Sequence, residues 1–407
     1  MLLFFGLENW MSYREPYGFS MMATPGETFS SHLAVIPGQR RVLPVSLLFG
    51  GNASGKSNFF DAIGYLRGLV VGHFLPQDSL PFLLDEKKRQ APTNFQADFL
   101  YREQLLRYQL SIDRSRVLHE ALYELDQDLH AETTVFQRQQ DELIHSDTLS
   151  EEAMAGAEEY LACDHSKQLL LRQLIAESEA AEAAYMWFRE CLIVQNSRFS
   201  EETRFDLIES LGTKPQLLDL INKLLPLLDN SIDHFELAAN KEKQLFAVHR
   251  DTSGQKIRFP LRQEASGIRH LLDILPPLIL SLDDETRQAH VMVIDEWDRN
   301  LHSLLAQELL NFFLEQRHPD GRTQLIISSH DLNLLNREMF RSDELWITER
   351  LSDASSTLIP LSDFKALQEE TIDYRQLYLE GRLGGIPNLN AFLLSDWPQD
   401  AEDKNAQ

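Results

Sequence analysis

The chain has 407 residues, 43% of them hydrophobic, and its 38 basic and 63 acidic side chains give a formal net charge of −25. This length and apolar content exclude a fibrous or largely disordered chain and allow a main body with an insertion. The acidic balance opposes non-specific attraction to nucleic acid or anionic lipid. Direct DNA binding would need a local basic patch, for which the candidates are Arg40, Arg41, Lys87, Lys88 and Arg89.

Neither the cysteines nor the apolar segments indicate export or membrane insertion. Cys163 and Cys191 have no metal-ligand or redox spacing, which favours a reducing compartment. The first ten residues, MLLFFGLENW, lack a basic start and predict a strand rather than a signal peptide. The longest apolar run, 271–282, contains Asp273 and two prolines and is shorter than the roughly 20 residues of a membrane span. We therefore expect a soluble, cytoplasmic protein.

The segment 50–57, GGNASGKS, is the most informative stretch of the chain. It follows an apolar run at 42–49 that predicts a buried strand and precedes 57–70, which predicts a helix. A glycine-bracketed turn in this context cradles the phosphates of a nucleotide, with the lysine on the β/γ-phosphates and the serine hydroxyl on Mg²⁺. The predicted ATP-binding residues of this loop are Gly50, Asn52, Gly55, Lys56 and Ser57.

Composition changes along the chain suggest four parts. The first, 1–112, holds the phosphate loop and ends in a predicted antiparallel hairpin of strands at 95–101 and 106–112. Residues 113–185 are rich in Glu, Gln, Ala and Leu with almost no Gly or Pro, which predicts a helical insertion. A second α/β part is expected at 186–395, followed by a flexible tail at 396–407.

Two apolar segments in the second part, 290–298 and 323–331, predict parallel strands joined by a helix, with function at their carboxyl ends. Asp295 and Glu296 directly follow the first apolar run, and His330 follows the second. In a chain with a phosphate loop, Asp295 would hold the Mg²⁺ that Ser57 touches, and Glu296 would polarise the attacking water. His330 would donate a hydrogen bond to the γ-phosphate.

A second anion site is predicted where QEASGIR, residues 263–269, precedes an apolar helix. Ser266 and Gly267 would lie at the helix N-terminus, where free N–H groups attract phosphate. The phosphate loop already binds one end of the nucleotide, so this second site is useful if it faces the nucleotide of another subunit. That arrangement is the ABC-type dimer, in which two ATP molecules lie between two copies of the chain.

The order of these motifs resembles the ABC/SMC-related AAA-type ATPases of bacterial abortive-infection and anti-phage operons, the AbiLi/RloA-like "ATP/GTP phosphatase" group. The resemblance spans nearly the whole chain except the insertion and the tail. It is carried by LENWMSY, NASGKSN, PFLLDEKKRQAPTNFQADF, YMWFRECLIV, FPLRQEASGIRHLL, VIDEWDRNLH, SSHDLNLL and YLEGRLGGIPNL. It implies an α/β P-loop NTPase of ABC-ATPase type, similar to an SMC/RecF head, with a mixed sheet, an antiparallel β-subdomain and a helical insertion.

The resemblance also implies roles for individual residues. Ser266 and Gly267 would act as the signature in trans, although Ala265 replaces the first serine of the usual Glu-Ser-x-Gly. Residues 300–302 would form the loop that crosses the dimer. A glutamine is expected to couple the metal to the helical lobe, and Gln195 is preferred over Gln96 for that role.

The implied function is an ATP-gated homodimer that senses infection and controls a separately encoded effector, such as a nuclease. Three alternatives carry less support. A head with its own TOPRIM nuclease would need a spaced acidic cluster after His330, which the sequence does not show. An SMC/RecF-like DNA-repair or DNA-bridging ATPase would need long coiled coils, which the sequence does not predict. A small-molecule kinase would need neither QEASGIR nor the acidic pair, and the sequence contains both.

Overall fold

The structure is a computed structural model that describes residues 1–26, 28–163, 165–195, 198–199, 211, 215–228, 231–238, 244–281, 289–317, 321–364 and 373–386. In chain order its strands are β1 Leu2–Glu8, β2 Tyr17–Ser20, β3 Ala34–Ile36, β4 Arg40–Val42, β5 Val45–Phe49, β6 Thr93–Tyr101, β7 Gln104–Ile112, β8 Val117–Leu125, β9 Ala131–Gln139, β10 Glu142–His145, β11 Leu192–Gln195, β12 His234–Leu237, β13 Leu245–Arg250, β14 Lys256–Pro260, β15 Val291–Ile294, β16 Gln324–Ser328, β17 Leu345–Arg350 and β18 Ser356–Pro360.

The α-helices are α1 Lys56–Val71, α2 Glu86–Gln90, α3 Glu151–Ala162, α4 Leu170–Gln173, α5 Glu179–Met186, α6 Pro215–Leu228, α7 Ser266–Ser281, α8 Ser303–Gln316 and α9 Tyr374–Leu379. A single π-helical turn, Trp187–Cys191, joins α5 to β11. Within the described ranges, none of these helices is both long and apolar enough to span a bilayer.

Local sequence explains where several helices begin and end. Gly55 precedes α1 with φ 117° and Gly72 follows it with φ 100°, both in the left-handed region that favours glycine. The hydroxyls of Ser150 and Ser178 accept hydrogen bonds from backbone N–H groups in the first turns of α3 and α5. Such serine caps satisfy donors that have no partner inside the helix.

The two largest β-sheets have seven and six strands. One is antiparallel, with seven strands in the order β10-β9-β8-β7-β6-β1-β2, and includes the predicted hairpin as β6 and β7. The other is mixed, with six strands in the order β11-β15-β16-β5-β17-β18, of which all pairs but the last are parallel. The predicted α/β fold class, with a mixed sheet and an antiparallel β-subdomain, is confirmed.

Strand β5 lies at the centre because its side chains face two separate cores. Leu48 packs into a core shared with the antiparallel sheet and α1, whereas Leu47 and Phe49 pack into a second core with α6, α7 and α8. A strand buried on both faces is apolar along its whole length, which is why VSLLF is recognisable in the sequence. The side chain of Gln324 ties the two sheets together, since its Oε1 accepts from the Leu2 N–H at 2.6 Å.

The prediction of a helical insertion at 113–185 is wrong for its first part. Residues 117–145 form β8, β9 and β10, which extend the antiparallel sheet from β7, and only the region after residue 150 is helical. The strands are held by pairing with the preceding hairpin and by burial of apolar residues such as Val135 and Phe136. Tertiary pairing therefore overrides the helical preference of the Glu- and Gln-rich composition.

Candidate functional site

The carboxyl ends of four parallel strands meet at one edge of the mixed sheet. Gln195 lies level with Ile294, Ile294 with Ile327, and Ile327 with Leu47 across β11, β15, β16 and β5. The residues that follow these positions are therefore neighbours although they are far apart in sequence. This register brings the phosphate loop, the acidic pair and His330, the predicted donor to the γ-phosphate, to one place.

The loop from Gly50 to Gly55 links β5 to α1 and needs glycine at both ends. Gly50 has φ 153°, and a Cβ there would lie against the carbonyl oxygen of Thr348 and 2.5 Å from its Oγ1. A Cβ on Gly55 would contact the hydroxyl of Ser356. Both positions also have the positive φ that side chains rarely adopt. The loop is thus pressed against the neighbouring strands, with Asn52 exposed at its tip.

Lys56 is buried, and its ammonium group donates to two carbonyls of the loop. Its Nζ lies 2.7 Å from the Gly50 oxygen and 3.2 Å from the Gly51 oxygen. Burial lowers the pKa of Lys56 to about 8, although the nearby carboxylates Asp295, Asp298 and Glu296 act in the opposite direction. The cation is therefore only partly compensated inside the protein, and an anionic phosphate would be a favourable further partner.

Asp295 connects the second strand to the phosphate loop. Its buried carboxylate accepts hydrogen bonds from the hydroxyls of Ser57, on the first turn of α1, and Ser328, at the end of β16. Burial raises the pKa of Asp295, and the two hydroxyls oppose that rise. Ser57 and Asp295, predicted to share a metal, are thus in direct contact.

Glu296 adopts a left-handed backbone conformation with φ 53°, unusual for a residue other than glycine. Its N–H donates to the Ser328 hydroxyl at 2.8 Å, and its side chain remains 44% exposed. Positive φ at a non-glycine residue concentrates at functional sites because the surrounding structure must hold it. The turn therefore directs the two adjacent carboxylates to opposite sides. The Asp295 carboxylate points inward to Ser57, and the Glu296 carboxylate points toward solvent.

His330 lies beyond the end of β16, on the exposed side of the same edge. Its backbone N–H lies 3.2 Å from Asp298 Oδ2. Partial burial and the positive charge of Lys56 lower the pKa of His330, and the carboxylates of Asp298, Glu296 and Asp295 oppose that shift. These interactions place the histidine among the lysine and the three acids, with its ring accessible to a ligand.

The donors at this edge fit a magnesium ion held jointly by protein and phosphate. Ser57 and Asp295 offer a hydroxyl and a carboxylate oxygen, hard ligands that Mg²⁺ prefers. Among the residues described, no group of three or more His, Cys, Asp or Glu side chains is arranged to hold a metal alone. Mg²⁺ commonly uses one or two protein ligands plus phosphate oxygens and water, so two protein donors suffice.

The two candidate glutamines lie in different sheets. Gln195 ends β11, and its carbonyl accepts from the Asp295 N–H at 3.2 Å. Its side chain is buried, and its Nε2 has no hydrogen-bond partner among the residues that the structure describes. Gln96 lies instead within the antiparallel sheet, where Asp98 accepts from its amide group at 2.9 Å. The geometry therefore places Gln195 beside the candidate metal site and Gln96 in a structural network.

Ser266 and Gly267 begin α7, as the sequence predicts, and Ser266 is exposed. A Cβ on Gly267 would lie 2.6 Å from the Asn300 carbonyl oxygen, so the helix start packs against the loop expected to cross a dimer. Further along α7, His270 donates through Nε2 to the Trp297 oxygen at 2.9 Å. The helix is thereby tied to the turn that carries Glu296.

Two residues of the site were missed by the sequence reasoning. Ser328 bonds both Asp295 and Glu296, and its only sequence signal is a hydroxyl at the end of an apolar strand. The Thr348 hydroxyl lies 2.6 Å from that of Ser54 in the phosphate loop. Thr348 has no local signal, because its role follows from the pairing of β17 with β5.

The basic residues considered for DNA contact are largely engaged with neighbours. Lys88 pairs with Glu8 at 2.8 Å, and Arg40 pairs with Asp128 at 3.1 Å. The guanidinium of Arg89 donates to the Leu83 carbonyl at 2.6 Å. These contacts favour their interpretation as ordinary surface charges.

Comparison with known proteins identifies a family whose model matches most of the chain. The family model described as "AAA domain, putative AbiEii toxin, Type IV TA system" matches residues 45–336, a range that includes the phosphate loop, the acidic pair and His330. No curated protein matches the sequence. Among solved structures, the chain is similar to one described as "Crystal structure of the SmcHead bound to the C-winged helix domain of ScpA", with 12% identity, a TM-score of 0.43, and coverage of 90% of this chain and 99% of that chain.

Proposed function

Because the chain belongs to the AAA domain family whose model matches residues 45–336, we propose that it is an ATPase that closes as a dimer around ATP. The observation that carries this proposal is the hydrogen bond from the Ser57 hydroxyl to the Asp295 carboxylate. That contact joins the phosphate loop to the strand that supplies the acidic pair. A nucleotide bound at Lys56 would therefore reach Glu296 and His330 without rearrangement of the sheet.

Each residue of the edge has a part in binding or hydrolysis. The N–H groups at the start of α1 and the ammonium of Lys56 bind the β- and γ-phosphates. Ser57 and Asp295 would hold Mg²⁺, which would supply positive charge to the phosphate oxygens. Glu296, on the open side, orients the attacking water and accepts its proton. His330 donates a hydrogen bond to the γ-phosphate and responds to its loss.

The proposal of a dimer rests on the second predicted anion site, Ser266 and Gly267. Ser266 is exposed at the start of α7, so its hydroxyl and the first N–H groups of the helix are available to a ligand on another copy. Gly267 packs on Asn300, which makes the predicted signature and the predicted crossing loop one surface. Through His270 and Trp297, contact at this surface is linked to the turn that bears Glu296.

The finer role is that of a switch for a separately encoded effector in bacterial anti-phage defence. Support comes from the description of the matching family, which refers to a type IV toxin–antitoxin system, and from the resemblance noted in the sequence. In this proposal ATP closes the dimer and hydrolysis opens it. An effector would bind the surface of the helices after residue 150 in one of these two states. Coexpression with neighbouring genes tests this role: a partner should copurify with a Glu296→Gln protein loaded with ATP and not with Lys56→Ala.

The enzymatic part is tested with the same two variants. Lys56→Ala should lose ATP binding, since the only ammonium group among the described residues of the phosphate loop is removed. Glu296→Gln should bind ATP, hydrolyse it at least about a hundredfold more slowly, and accumulate at twice the monomer mass. Bound nucleotide, phosphate release and mass in solution are the measurements. Hydrolysis by Glu296→Gln at the wild-type rate would contradict the role given to this residue.

A further inference from the structure

We propose that the turn at residues 381–385, here called the C-terminal turn, positions the phosphate loop for nucleotide, and that Tyr378 is the positioning residue that holds the turn in place. This inference rests on the proposed nucleotide site and adds a part of the chain that lies beyond the matched family region, 45–336. It makes ATP affinity depend on a segment more than 300 residues away from the loop in sequence.

One carbonyl group joins the phosphate loop to the C-terminal turn. The Gly51 N–H donates to the Gly385 oxygen, with 2.6 Å between nitrogen and oxygen. The Tyr378 hydroxyl donates to the same oxygen at 2.8 Å. Because Tyr378 is 6% exposed, this second bond is shielded from water and fixes the direction of the carbonyl.

Glycines shape the turn so that it can approach the loop. Helix α9 ends at Leu379, and Gly381, two residues later, has φ 75°. The Gly381 N–H donates to the Tyr378 carbonyl, and the next N–H donates to the Leu377 carbonyl. This pair of bonds is the Schellman arrangement that terminates helices. Gly385 has φ 72°, and a Cβ there would lie 2.8 Å from Ile347 Cγ2. Only glycine therefore lets the Gly385 backbone lie this close to β17.

The loop and the turn press on the same residue of β17. The Thr348 carbonyl would contact a Cβ on Gly50 and would lie 3.1 Å from a Cβ on Gly385. The Thr348 hydroxyl lies 2.6 Å from that of Ser54. If the C-terminal turn moved away, the Gly51 N–H would lose its acceptor, whereas the contact between the Ser54 and Thr348 hydroxyls would remain.

The arrangement assigns the loop's N–H groups to two tasks. The Gly51 N–H donates to the Gly385 carbonyl, which anchors the loop, and the N–H groups at the start of α1 are those proposed above to bind phosphate. A preformed loop binds without paying for ordering on contact with the ligand. Coupling between two sites is reciprocal, so ATP should in turn strengthen the bond between Gly51 and the C-terminal turn.

The test uses Tyr378→Phe, with Tyr374→Phe on the same helix as the matched control. Loss of one buried hydrogen bond should raise the KM for ATP by about threefold to tenfold in Tyr378→Phe. Its kcat should change by less than about twofold, because the reacting groups are untouched. Tyr374→Phe should keep both values. Gly385→Ala should raise the KM further, and thermal unfolding without nucleotide shows whether each variant is folded.

Amide exchange supplies a readout that a purely structural role would not move. In the wild type, ATP should slow exchange of the Gly51 amide and of residues 381–386, and Tyr378→Phe should weaken both effects. A folded Tyr378→Phe protein with wild-type KM, or ATP without effect on exchange at 381–386, would overturn this inference and leave the nucleotide site standing. A wild-type protein that does not bind ATP would instead overturn the proposed function together with it.

Discussion

Substitution of Gly50 by alanine tests whether the phosphate loop must lie against β17. The chain offers a matched control in Gly26, because the two glycines have nearly equal φ, 153° and 155°. A Cβ on Gly26 would have no described atom within 4 Å apart from its chain neighbours, whereas one on Gly50 would contact Thr348 and lie 2.6 Å from Ser54 Oγ. The two variants therefore share an unfavourable φ, and Gly50→Ala adds crowding to it.

The sizes of the two effects follow from these contacts. An unfavourable positive φ costs about 1–3 kcal/mol for a residue with a side chain and applies to both variants. Crowding costs roughly another 1–3 kcal/mol, and only Gly50→Ala bears it. That variant relieves the overlap by moving its loop away from β17, so its Kd for ATP should rise at least about tenfold.

Binding of a fluorescent ATP analogue and urea unfolding measure the two quantities. Gly26→Ala should bind ATP within about twofold of the wild type, since its strain lies outside the site. Gly50→Ala should both unfold at lower urea and bind ATP poorly. Equal behaviour of the two variants, or wild-type affinity in Gly50→Ala, would refute the reasoning from close contact.

The remaining predictions concern single side chains. Ser328→Ala removes the hydroxyl that bonds both acids of the site and should lower kcat about tenfold to a hundredfold, measured by phosphate release; an unchanged kcat would contradict it. Asp298→Ala removes the acceptor of the His330 N–H and should lower kcat about tenfold with little change in KM; a change in KM alone would argue against it. Burial raises the pKa of Glu344 to about 8, so the folded protein keeps a proton that the unfolded chain releases above its usual value of 4.5. Wild-type stability should therefore fall relative to Glu344→Gln by up to about 1.4 kcal/mol per pH unit between about pH 5 and 8, and parallel urea-unfolding curves across that range would exclude it.

The sequence was sufficient for the parts of the site that depend on local pattern. A glycine-rich loop between an apolar strand and a helix predicts its own geometry, and β15 and β16 are apolar because both their faces are buried. Their carboxyl ends must then share an edge, which places Asp295 near Ser57. Residues 117–145 could not be assigned in the same way, because pairing with β7 rather than composition makes them strands.

The parts that escaped prediction depend on contacts between distant segments. The Ser328 hydroxyl can contact the acidic pair only because β16 lies beside β15. The Gly385 carbonyl matters only because it accepts from the Gly51 N–H. The sequence shows that these residues are a serine and a glycine, but it does not indicate which residues they contact. Long-range register, which is a property of the packed sheets, decides these contacts.

A complementation assay tests the central claim, that two copies of the chain each supply half of one ATP site. A Lys56→Ala protein lacks the phosphate lysine, and a Ser266→Arg protein blocks the opposite face; each alone should be inactive. In a random equal mixture half of the dimers pair the two variants, and each of these has one complete site, so about a quarter of the wild-type ATPase rate should return. No recovery in a mixture that forms mixed dimers would contradict the shared site.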